Sequence, residues 1–358
     1  MRWNRETSPV PGTRCLLRRK NGELLTAHPR PTVVGRALFC FGSADGGKTW
    51  KERGAIATDP DPTVDLGDGM FLETKAGQIL HVFRRNHYAG GKAASPDYAI
   101  EVAFSKHDGH LWQRHSVVTG HTIPGGGAPS RGLWAPSLLE TASGRVLCVY
   151  DDEKTPYEAG FRGHQWLMLR TWNARNRQWE NPTVVSRAND AGHLSRDGMG
   201  TMIELAPGRL LCALESVRTS PPHANLIRSV RSDDDGKTWS WQTRERETLY
   251  QPSKANFMAL SPMLTRLKSG RLVCIFCTDE DRERPDISGT PPHRLNMDVK
   301  AVTSVDGGRT WSASETVAGE SHRTYLPGLV ETGGGELLAT WIDFAGDVRT
   351  LGRGGREA

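Results

Sequence analysis

The sequence predicts an all-β fold built from six similar hairpins, and its spacing of glycines is the first observation that does so. A segment with apolar residues, a short polar stretch, a glycine and again apolar residues occurs six times in the 358 residues, with variations. The glycines of the six copies are Gly22, Gly77, Gly144, Gly208, Gly270 and Gly335. Each copy has the pattern of a β-hairpin with glycine in its tight turn. Because such hairpins cannot bury their faces alone, six of them stacked around an axis predict a six-bladed β-propeller.

A second repeated motif, S-x-D-x-G-x-T-W, supports this prediction. It occurs at Ser43–Trp50, Ser232–Trp239 and Ser304–Trp311, and a degenerate copy with His107 in place of the aspartate lies at Ser105–Trp112. The motif resembles the Asp-box, in which the serine and aspartate bond the backbone of a tight turn. We therefore interpret its aspartates as structural and not as catalytic.

The repeats predict one propeller domain that spans residues 1–358. The sixth repeat begins near Tyr325 and has about 34 residues left before Ala358, too few for four strands and their turns. We expect the segment Arg2–Glu6 to supply the outer strand of this last blade, which would remove an exposed edge.

Composition excludes several classes of function. The 46 basic and 41 acidic residues give a net charge of only +5 and are spread along the chain, so nucleic-acid binding is not predicted. No apolar run approaches the length of a membrane span. No signal peptide is visible, which predicts a cytoplasmic protein, or a secreted or periplasmic one if a leader has been removed. The six cysteines fit buried apolar positions better than disulfides, and neither a metal site nor a cofactor is predicted. The oligomeric state stays open.

Polar residues cluster where the predicted strands end, which is where a propeller places its pocket. The position seven residues after the hairpin glycine holds Arg84, Asp151, Glu215 and Cys277 in the second to fifth repeats. Glu215 ends the otherwise apolar strand LLCALES, so it is either a residue at the rim or a carboxylate in the pocket. The carboxylates, arginines and aromatic residues at such places together suit a sugar ligand, which needs hydrogen bonds and an aromatic platform.

Several longer segments resemble glycoside hydrolase family 93, the exo-α-L-1,5-arabinanases, within the sialidase-like propellers. These segments are DLGDGMFLETKAGQILHVFRRNH, GLWAPSLLETASGRVLCVYDDE, SRDGMGTMIELAPGRLLCALES and SPMLTRLKSGRLVCIFCTDED. The resemblance implies that Glu215 is a catalytic carboxylate, the nucleophile. It also implies a second catalytic glutamate in a Trp-Glu-Pro motif, where this chain has Trp134-Ala135-Pro136.

Ala135 leaves the acid/base of a retaining glycosidase missing from its expected place, since such enzymes need two carboxyl groups. Three explanations stay open. The alanine is an engineered inactivation; or another carboxyl group, with Asp152, Glu153 or Asp197 nearest, has taken over; or the protein binds sugars without hydrolysing them. A sialidase is the alternative enzyme, with Tyr325 as its nucleophile. Against it, Gly12, Thr13 and Arg14 stand where the resemblance implies Arg-Ile-Pro.

The sequence thus predicts an exo-acting, retaining glycoside hydrolase for a terminal arabinofuranose or related sugar, with Glu215 as nucleophile. We predict that the following residues bind the sugar: Asp68, Arg84, Asn86, His87, Trp134, Asp152, Glu153, Arg196, Asp197, Asp279 and Tyr325. The loops His115–Arg131 and Asp279–Arg294 are expected to wall the pocket.

Overall fold

The computed structural model describes most of the chain. The described residues are 14–87, 97–122, 132–153, 160–161, 163–188, 196–217, 225–283, 297–319, 324–345 and 348–350. The segment Arg2–Glu6, the side chains of Asp68 and Tyr325, and parts of both predicted pocket loops lie outside this description. The described residues form 23 strands, two short 3-10 helices and no α-helix, so the all-β prediction is confirmed. None of these elements is a helix long and apolar enough to cross a membrane.

The strands form antiparallel meanders that follow the order of the sequence. The first two sheets have four strands each. They are β1 (Leu16–Arg18), β2 (Leu24–Thr32), β3 (Gly35–Ser43), β4 (Lys51–Asp59), β5 (Asp65–Glu73), β6 (Ile79–His87), β7 (Asp97–Ser105) and β8 (Trp112–Thr122). The next sheet has eight strands. They are β9 (Leu133–Glu140), β10 (Val146–Glu153), β11 (Gln165–Asn173), β12 (Gln178–Ser186), β13 (Arg196–Ala206), β14 (Arg209–Val217), β15 (Asn225–Ser232) and β16 (Glu247–Tyr250). The last two sheets have four and three strands. They are β17 (Ala259–Arg266), β18 (Leu272–Thr278), β19 (Asp298–Ser304), β20 (Glu315–Ala318), β21 (Thr324–Glu331), β22 (Leu337–Ala345) and β23 (Val348–Thr350).

The eight-stranded sheet consists of two meanders, β9–β12 and β13–β16, that meet at one parallel pair. That pair joins Gln165 on β11 to Arg196 on β13. Elsewhere in this sheet the neighbouring strands pair antiparallel, as in the other sheets. The described strands therefore fall into six consecutive meanders, of which the last has three strands.

The first strands of the meanders form a closed ring. Neighbouring first strands are in contact all the way round, in the order β1, β5, β9, β13, β17, β21 and back to β1. Apolar side chains fill the space between consecutive meanders. Val149 and Leu169 of the third, for example, pack with Leu214 and Val230 of the fourth. The ring brings one end of every first strand to the same place, which is what allows distant residues to share a site.

The six hairpin glycines behave as the sequence predicts. Each connects the first two strands of a meander, and their φ angles lie between 75° and 91°. This is the left-handed region in which a residue without a Cβ atom is favoured. The glycine spacing was therefore a correct guide to the hairpins.

Four of the first strands carry the same irregularity at their other end. The residue nine positions before the hairpin glycine has a positive φ and lies in a β-bulge in β9, β13, β17 and β21. These residues are Ala135 (φ 40°), Met199 (55°), Ser261 (54°) and Leu326 (53°). Bulges redirect side chains and often lie near functional sites. Here they place four equivalent residues around the ring.

Glutamates near the hairpin turns link one meander to the next. A carboxylate four residues before the hairpin glycine accepts the backbone N–H of a residue in the preceding turn. The four bonds are Lys20 to Glu73 (2.6 Å), Lys75 to Glu140 (2.5 Å), Ala142 to Glu204 (2.6 Å) and Lys268 to Glu331 (2.8 Å). Arg266 occupies the corresponding position of the fifth meander, and its guanidinium donates to the backbone carbonyl of Glu204 at 2.9 Å. The repeat therefore specifies contacts between meanders as well as within them.

The S-x-D-x-G-x-T-W segments form tight turns in which the aspartate accepts several hydrogen bonds. Asp306 accepts from the Ser304 hydroxyl (2.8 Å), from two backbone N–H groups and from the Thr310 hydroxyl (2.6 Å). The bonds from Thr310 and Ser304 hold the pKa of Asp306 well below its ordinary value. The turns at Asp45 and Asp234 have the same bonds. These carboxylates are therefore used to hold the backbone.

All six cysteines are buried, as the sequence predicts. Within the described part of the chain, no group of three or more His, Cys, Asp or Glu side chains is placed to hold a metal ion.

Candidate functional site

Two carboxylates occupy equivalent places on neighbouring meanders. Asp151 on β10 and Glu215 on β14 each lie seven residues after their hairpin glycine, with exposed fractions of 2% and 6%. Each accepts the backbone N–H of the bulge residue on the next first strand. Met199 donates to both oxygens of Asp151 at 3.0 and 3.1 Å, and Ser261 donates to Oε2 of Glu215 at 2.7 Å. The same local geometry thus directs both carboxylates to the bulged end of the ring.

The two oxygens of Glu215 differ in their surroundings. Oε2 is held by the Ser261 N–H, whereas no residue in the described ranges donates a hydrogen bond to Oε1. The buried hydroxyl of Ser261 likewise has no hydrogen-bond partner among these residues. A carboxylate with one oxygen fixed and the other open has the arrangement that a nucleophile or a ligand-binding group requires.

The Asp151 side chain lies against β13, the strand that pairs with the Glu215 strand β14. Gly198 on β13 is opposite Glu215 in the register of β13 and β14. A Cβ atom at Gly198 would come within 2.7 Å of Oδ2 of Asp151, so the absence of a side chain there admits the carboxyl group. Burial raises the pKa of Asp151 well above its ordinary value; the Met199 N–H opposes this rise, and the charge of Glu215 adds to it.

Arg14 is a buried cation that the sequence did not predict for the site. It is 1% exposed, and its guanidinium donates to the backbone carbonyls of Met199 and Gly200 at 3.3 and 3.4 Å. These bonds connect Arg14, two residues before β1, to the first strand of the fourth meander. The charge of Arg14 acts to lower the pKa of Asp151, although burial outweighs it. The only sequence signal for Arg14 is its position immediately before the first repeat.

Four of the predicted sugar-binding residues form a continuous row. The guanidinium of Arg84 lies 5.3 Å from the ring centroid of Trp134, and the Trp134 indole N–H donates to Oε1 of Glu153 at 3.0 Å. Arg196 donates to the same oxygen at 2.6 Å. At the other end, Arg84 makes two bonds to Asp65, at 2.9 and 3.1 Å. Hydrogen bonds and the ring contact thus bring residues of the second, third and fourth meanders together.

Ala135, the position of the expected acid/base, lies in an apolar environment. It is fully buried and packs with Met199, Leu326 and Ile342, with Trp134 against the same cluster. An acidic side chain is nevertheless close by in the sheet. Asp151 on β10 pairs with Trp134, the residue just before Ala135.

Asp197 was predicted to bind the sugar, and the structure places it in an internal network. Its carboxylate accepts hydrogen bonds from the hydroxyls of Ser186 and Ser216 and from the guanidinium of Arg246, whose Nη1 lies 2.6 Å from both oxygens. Asp197 is 0% exposed and Arg246 is 7% exposed. The network joins β12, β13, β14 and the residue before β16.

Two further predicted residues are also fully buried and bonded to backbone. The Asn86 amide donates to the carbonyl of Leu133 at 2.9 Å, which links the second and third meanders. Asp279 accepts the N–H of Met258 at 2.7 Å.

His87 and Asp152 lie among other charged groups. His87 Nδ1 is 2.6 Å from Asp97, and its Nε2 is 3.7 to 3.8 Å from Asp61 and Asp59. Asp152 is buried, with its Oδ1 atom 3.8 Å from Nε2 of His121. The side chains of Asp68 and Tyr325 are outside the described residues, so their parts in the site stay predictions.

Comparisons with known proteins identify the fold. No protein-family model matches the chain, and no curated protein sequence does. Among solved structures, the GH93 α-L-arabinofuranosidase of Fusarium graminearum in complex with arabinobiose aligns with a TM-score of 0.68 at 16% identity, over 99% of this chain and 98% of that one. A Penicillium chrysogenum α-L-arabinanase complexed with arabinobiose gives the same values. A mutant NanB sialidase from Streptococcus pneumoniae aligns with a TM-score of 0.61 at 12% identity, over 96% of this chain and 68% of that one.

The chain therefore has the sialidase-like β-propeller fold, as its sequence resemblance implies. Within that class, it aligns with the GH93 arabinofuranosidase and the arabinanase over nearly its whole length. At these identities the likeness establishes the fold, and the chemistry has to be argued from the site.

Proposed function

We propose that this protein is an exo-acting, retaining glycoside hydrolase for a terminal arabinofuranose or a related sugar. In this proposal the six meanders are the blades of one six-bladed propeller domain, the segment Arg2–Glu6 completes the last blade, and the S-x-D turns are Asp-boxes. The observation that carries the proposal is the environment of Glu215: a buried carboxylate with Oε2 fixed by the Ser261 N–H, with no donor to Oε1 among the described residues, and close enough to the buried Asp151 for their charges to interact.

Glu215 is the nucleophile. Oε1 attacks the anomeric carbon of the terminal sugar through an oxocarbenium-like transition state, and the glycosyl-enzyme ester is then hydrolysed by water. The Ser261 N–H fixes the rotation of the carboxylate, so that Oε1 faces the substrate. Such prior orientation lowers the entropic cost of the attack.

The row formed by Arg84, Trp134, Glu153 and Arg196 is the subsite for the terminal sugar. The indole of Trp134 offers an apolar face, and the guanidinium groups and Glu153 offer donors and acceptors for hydroxyls. The bound ligands of two structural neighbours support a sugar of this class, since both are complexes with arabinobiose. Asp68 and Tyr325 belong to the proposed pocket as well.

A hydrolysis assay tests the proposal. The parent protein and Glu215→Gln are incubated with aryl α-L-arabinofuranosides and linear arabino-oligosaccharides, with Glu247→Gln, on the outer strand β16, as the matched control. We expect release of single sugars by the parent and by the control, and a loss of at least about a thousandfold in kcat/KM for Glu215→Gln. Methanolysis followed by NMR should give a methyl glycoside of unchanged anomeric configuration.

The apolar surroundings of Ala135 favour one other function, a sugar-binding propeller without turnover. Saturable binding of arabino-oligosaccharides by the parent, with no hydrolysis at high protein concentration, would establish that function and refute the hydrolase. Hydrolysis of an aryl sialoside in the same screen, with none of an arabinofuranoside, would identify a sialidase.

A further inference from the structure

We infer that Asp151 is the acid/base carboxyl group that works with Glu215, in place of the glutamate expected at Ala135. This inference rests on the proposed function and names the second catalytic residue of the same site. It makes the chain a retaining hydrolase whose acid/base lies on the second strand of a meander, opposite its expected position on the first.

The pairing of β9 with β10 places Asp151 next to Ala135, the position where the acid/base glutamate is expected. The bulge in β9 contains Ala135 and Pro136, and Asp151 on β10 pairs with Trp134, the residue just before the bulge. A carboxyl group on β10 at this point therefore occupies the neighbourhood that a side chain at the bulge would occupy. Because the two strands are directly hydrogen-bonded, this placement follows from pairing and not from a flexible loop.

Asp151 also occupies a position equivalent to that of Glu215. Asp151 and Glu215 have the same offset from their hairpin glycines, and each accepts the N–H of the next bulge residue. Gly198 connects them, since it pairs with Glu215 and its missing side chain leaves room for Oδ2 of Asp151. Two carboxyl groups held this way on adjacent meanders form the pair that a retaining mechanism requires.

The other carboxyl groups near the site have different roles. Asp197 is bonded to Arg246 and two serines, and Glu153 is bonded to Arg196 and Trp134. Asp152 follows Asp151 on the same strand, so its side chain leaves the opposite face of the sheet. Among the described carboxyl groups, Asp151 is the one that shares both the location and the backbone contact of Glu215.

The charged surroundings of Asp151 suit a group that holds a proton. Glu215, Arg14 and Arg196 act on it, and the buried thiol of Cys212 lies close enough to be affected by its charge. Burial is the largest influence and, together with the negative charge of Glu215, it raises the pKa of Asp151. A buried carboxyl group with a raised pKa is suited to the acid of an acid/nucleophile pair.

The proposed steps balance as follows. In the first step, Oε1 of Glu215 forms a bond to the anomeric carbon while the bond from that carbon to the leaving oxygen breaks, and Asp151 gives its proton to that oxygen. In the second step, water adds to the anomeric carbon, the ester bond to Glu215 breaks, and the Asp151 carboxylate takes the proton from the water. The enzyme ends in its original protonation state.

Aryl arabinofuranosides with leaving groups of different acidity test this role. A 2,4-dinitrophenyl group leaves without a proton, whereas a phenyl group needs one. We expect Asp151→Asn to lose about a hundredfold or more in kcat/KM on the phenyl glycoside and less than about tenfold on the dinitrophenyl glycoside. Azide should restore turnover of the dinitrophenyl glycoside and give a glycosyl azide of retained configuration. Glu247→Gln, on the outer strand β16, is the matched control, with no dependence on the leaving group.

A measurement on the parent protein keeps the test valid if Asp151→Asn does not fold, as judged by thermal unfolding. For the parent, kcat/KM on the phenyl glycoside should fall as the pH rises through the ionisation of Asp151. This fall should be absent for the dinitrophenyl glycoside. Equal pH profiles for the two substrates, or an equal loss on both in a folded Asp151→Asn, would refute the role of Asp151.

The same assays separate this inference from the proposed function. If the parent hydrolyses arabinofuranosides and Glu215→Gln does not, while a folded Asp151→Asn loses equally on both leaving groups, the assignment of Asp151 is wrong and the proposed function stands. If the parent hydrolyses none of the glycosides, the proposed function itself is refuted, and the role of Asp151 with it, even where Ala135→Glu is active.

Discussion

The network around Asp197 gives a prediction that separates a structural role from a sugar-binding one. The sequence predicts that Asp197 binds substrate, whereas the structure buries it fully between Ser186, Ser216 and Arg246. We therefore expect substitutions in this network to change the free energy of unfolding and to leave the KM for the sugar close to that of the parent.

The magnitude follows from the burial of the pair. Arg246→Met keeps most of the side-chain volume but removes the cation that donates to both oxygens of the buried Asp197 carboxylate. Removing one partner of a buried ion pair costs about 3–5 kcal/mol. Adding Asp197→Asn to this variant removes the buried charge that has lost its ion-pair partner, so the double variant should be more stable than Arg246→Met alone, with a coupling of up to about 3 kcal/mol.

Unfolding in guanidinium chloride measures these differences for the parent, the two single variants and the double variant. The kinetics of sugar hydrolysis, or sugar binding, are measured on each of the four proteins. The reasoning would be refuted if Asp197→Asn changed the unfolding free energy by less than about 0.5 kcal/mol, the range of ordinary surface substitutions. A severalfold rise in KM together with that result would make Asp197 a substrate ligand, as the sequence predicts.

Three other regions of the chain give predictions of their own. Burial acts to raise the pKa of Asp234, but hydrogen bonds from Thr238 and Ser232 lower it overall. The stabilising effect of the ionised Asp234 carboxylate should therefore be present above the unfolded pKa of about 3.9 and be lost as the pH falls below it. Asp234→Ala should therefore lower the unfolding free energy by about 1–2 kcal/mol at pH 7, with a smaller difference at pH 3, and equal differences at both would contradict this account. Glu140→Ala removes the acceptor for the Lys75 N–H and should cost about 1 kcal/mol in denaturant unfolding, against almost nothing for Glu52→Ala, whose ion pair with Arg30 is exposed. Burial raises the pKa of Cys40 to about 12, and all six thiols are buried, so a thiol reagent should label fewer than one cysteine per native chain and six after denaturation; rapid native labelling would show that the sheets open readily.

Local features of the fold were predictable because their causes lie within a few residues. A hairpin turn requires a residue that tolerates positive φ, and the glycines at Gly77 and Gly270, with φ of 84° and 87°, meet that requirement. The turn at Ser304–Trp311 is specified in the same way, since Asp306 bonds residues within four positions of itself. Neither feature depends on the rest of the chain.

The candidate site was predictable only in part. The row of Arg84, Trp134, Glu153 and Arg196 was predicted by residue type and position, and the structure brings these four together. Asp151 occupies the same offset as Glu215, but nothing in the residue pattern favours it over Asp152 or Glu153. Neighbouring residues on a strand alternate between faces, so the choice depends on a bulge whose exact place the sequence does not reveal.

The sequence by itself determined the six hairpins, the S-x-D turns, the burial of the cysteines and the placement of Glu215 at a strand end. Only the tertiary structure decided that Asp197 serves the interior, that Asp151 pairs with Trp134 beside the bulge, and that Arg14 reaches the first strand of the fourth meander. The physical reason is the range of the interactions. Turn and hairpin bonds join residues close in sequence, whereas the roles of these three side chains depend on how the first strands close into a ring, which brings Arg14, for example, to Gly200, 186 positions away.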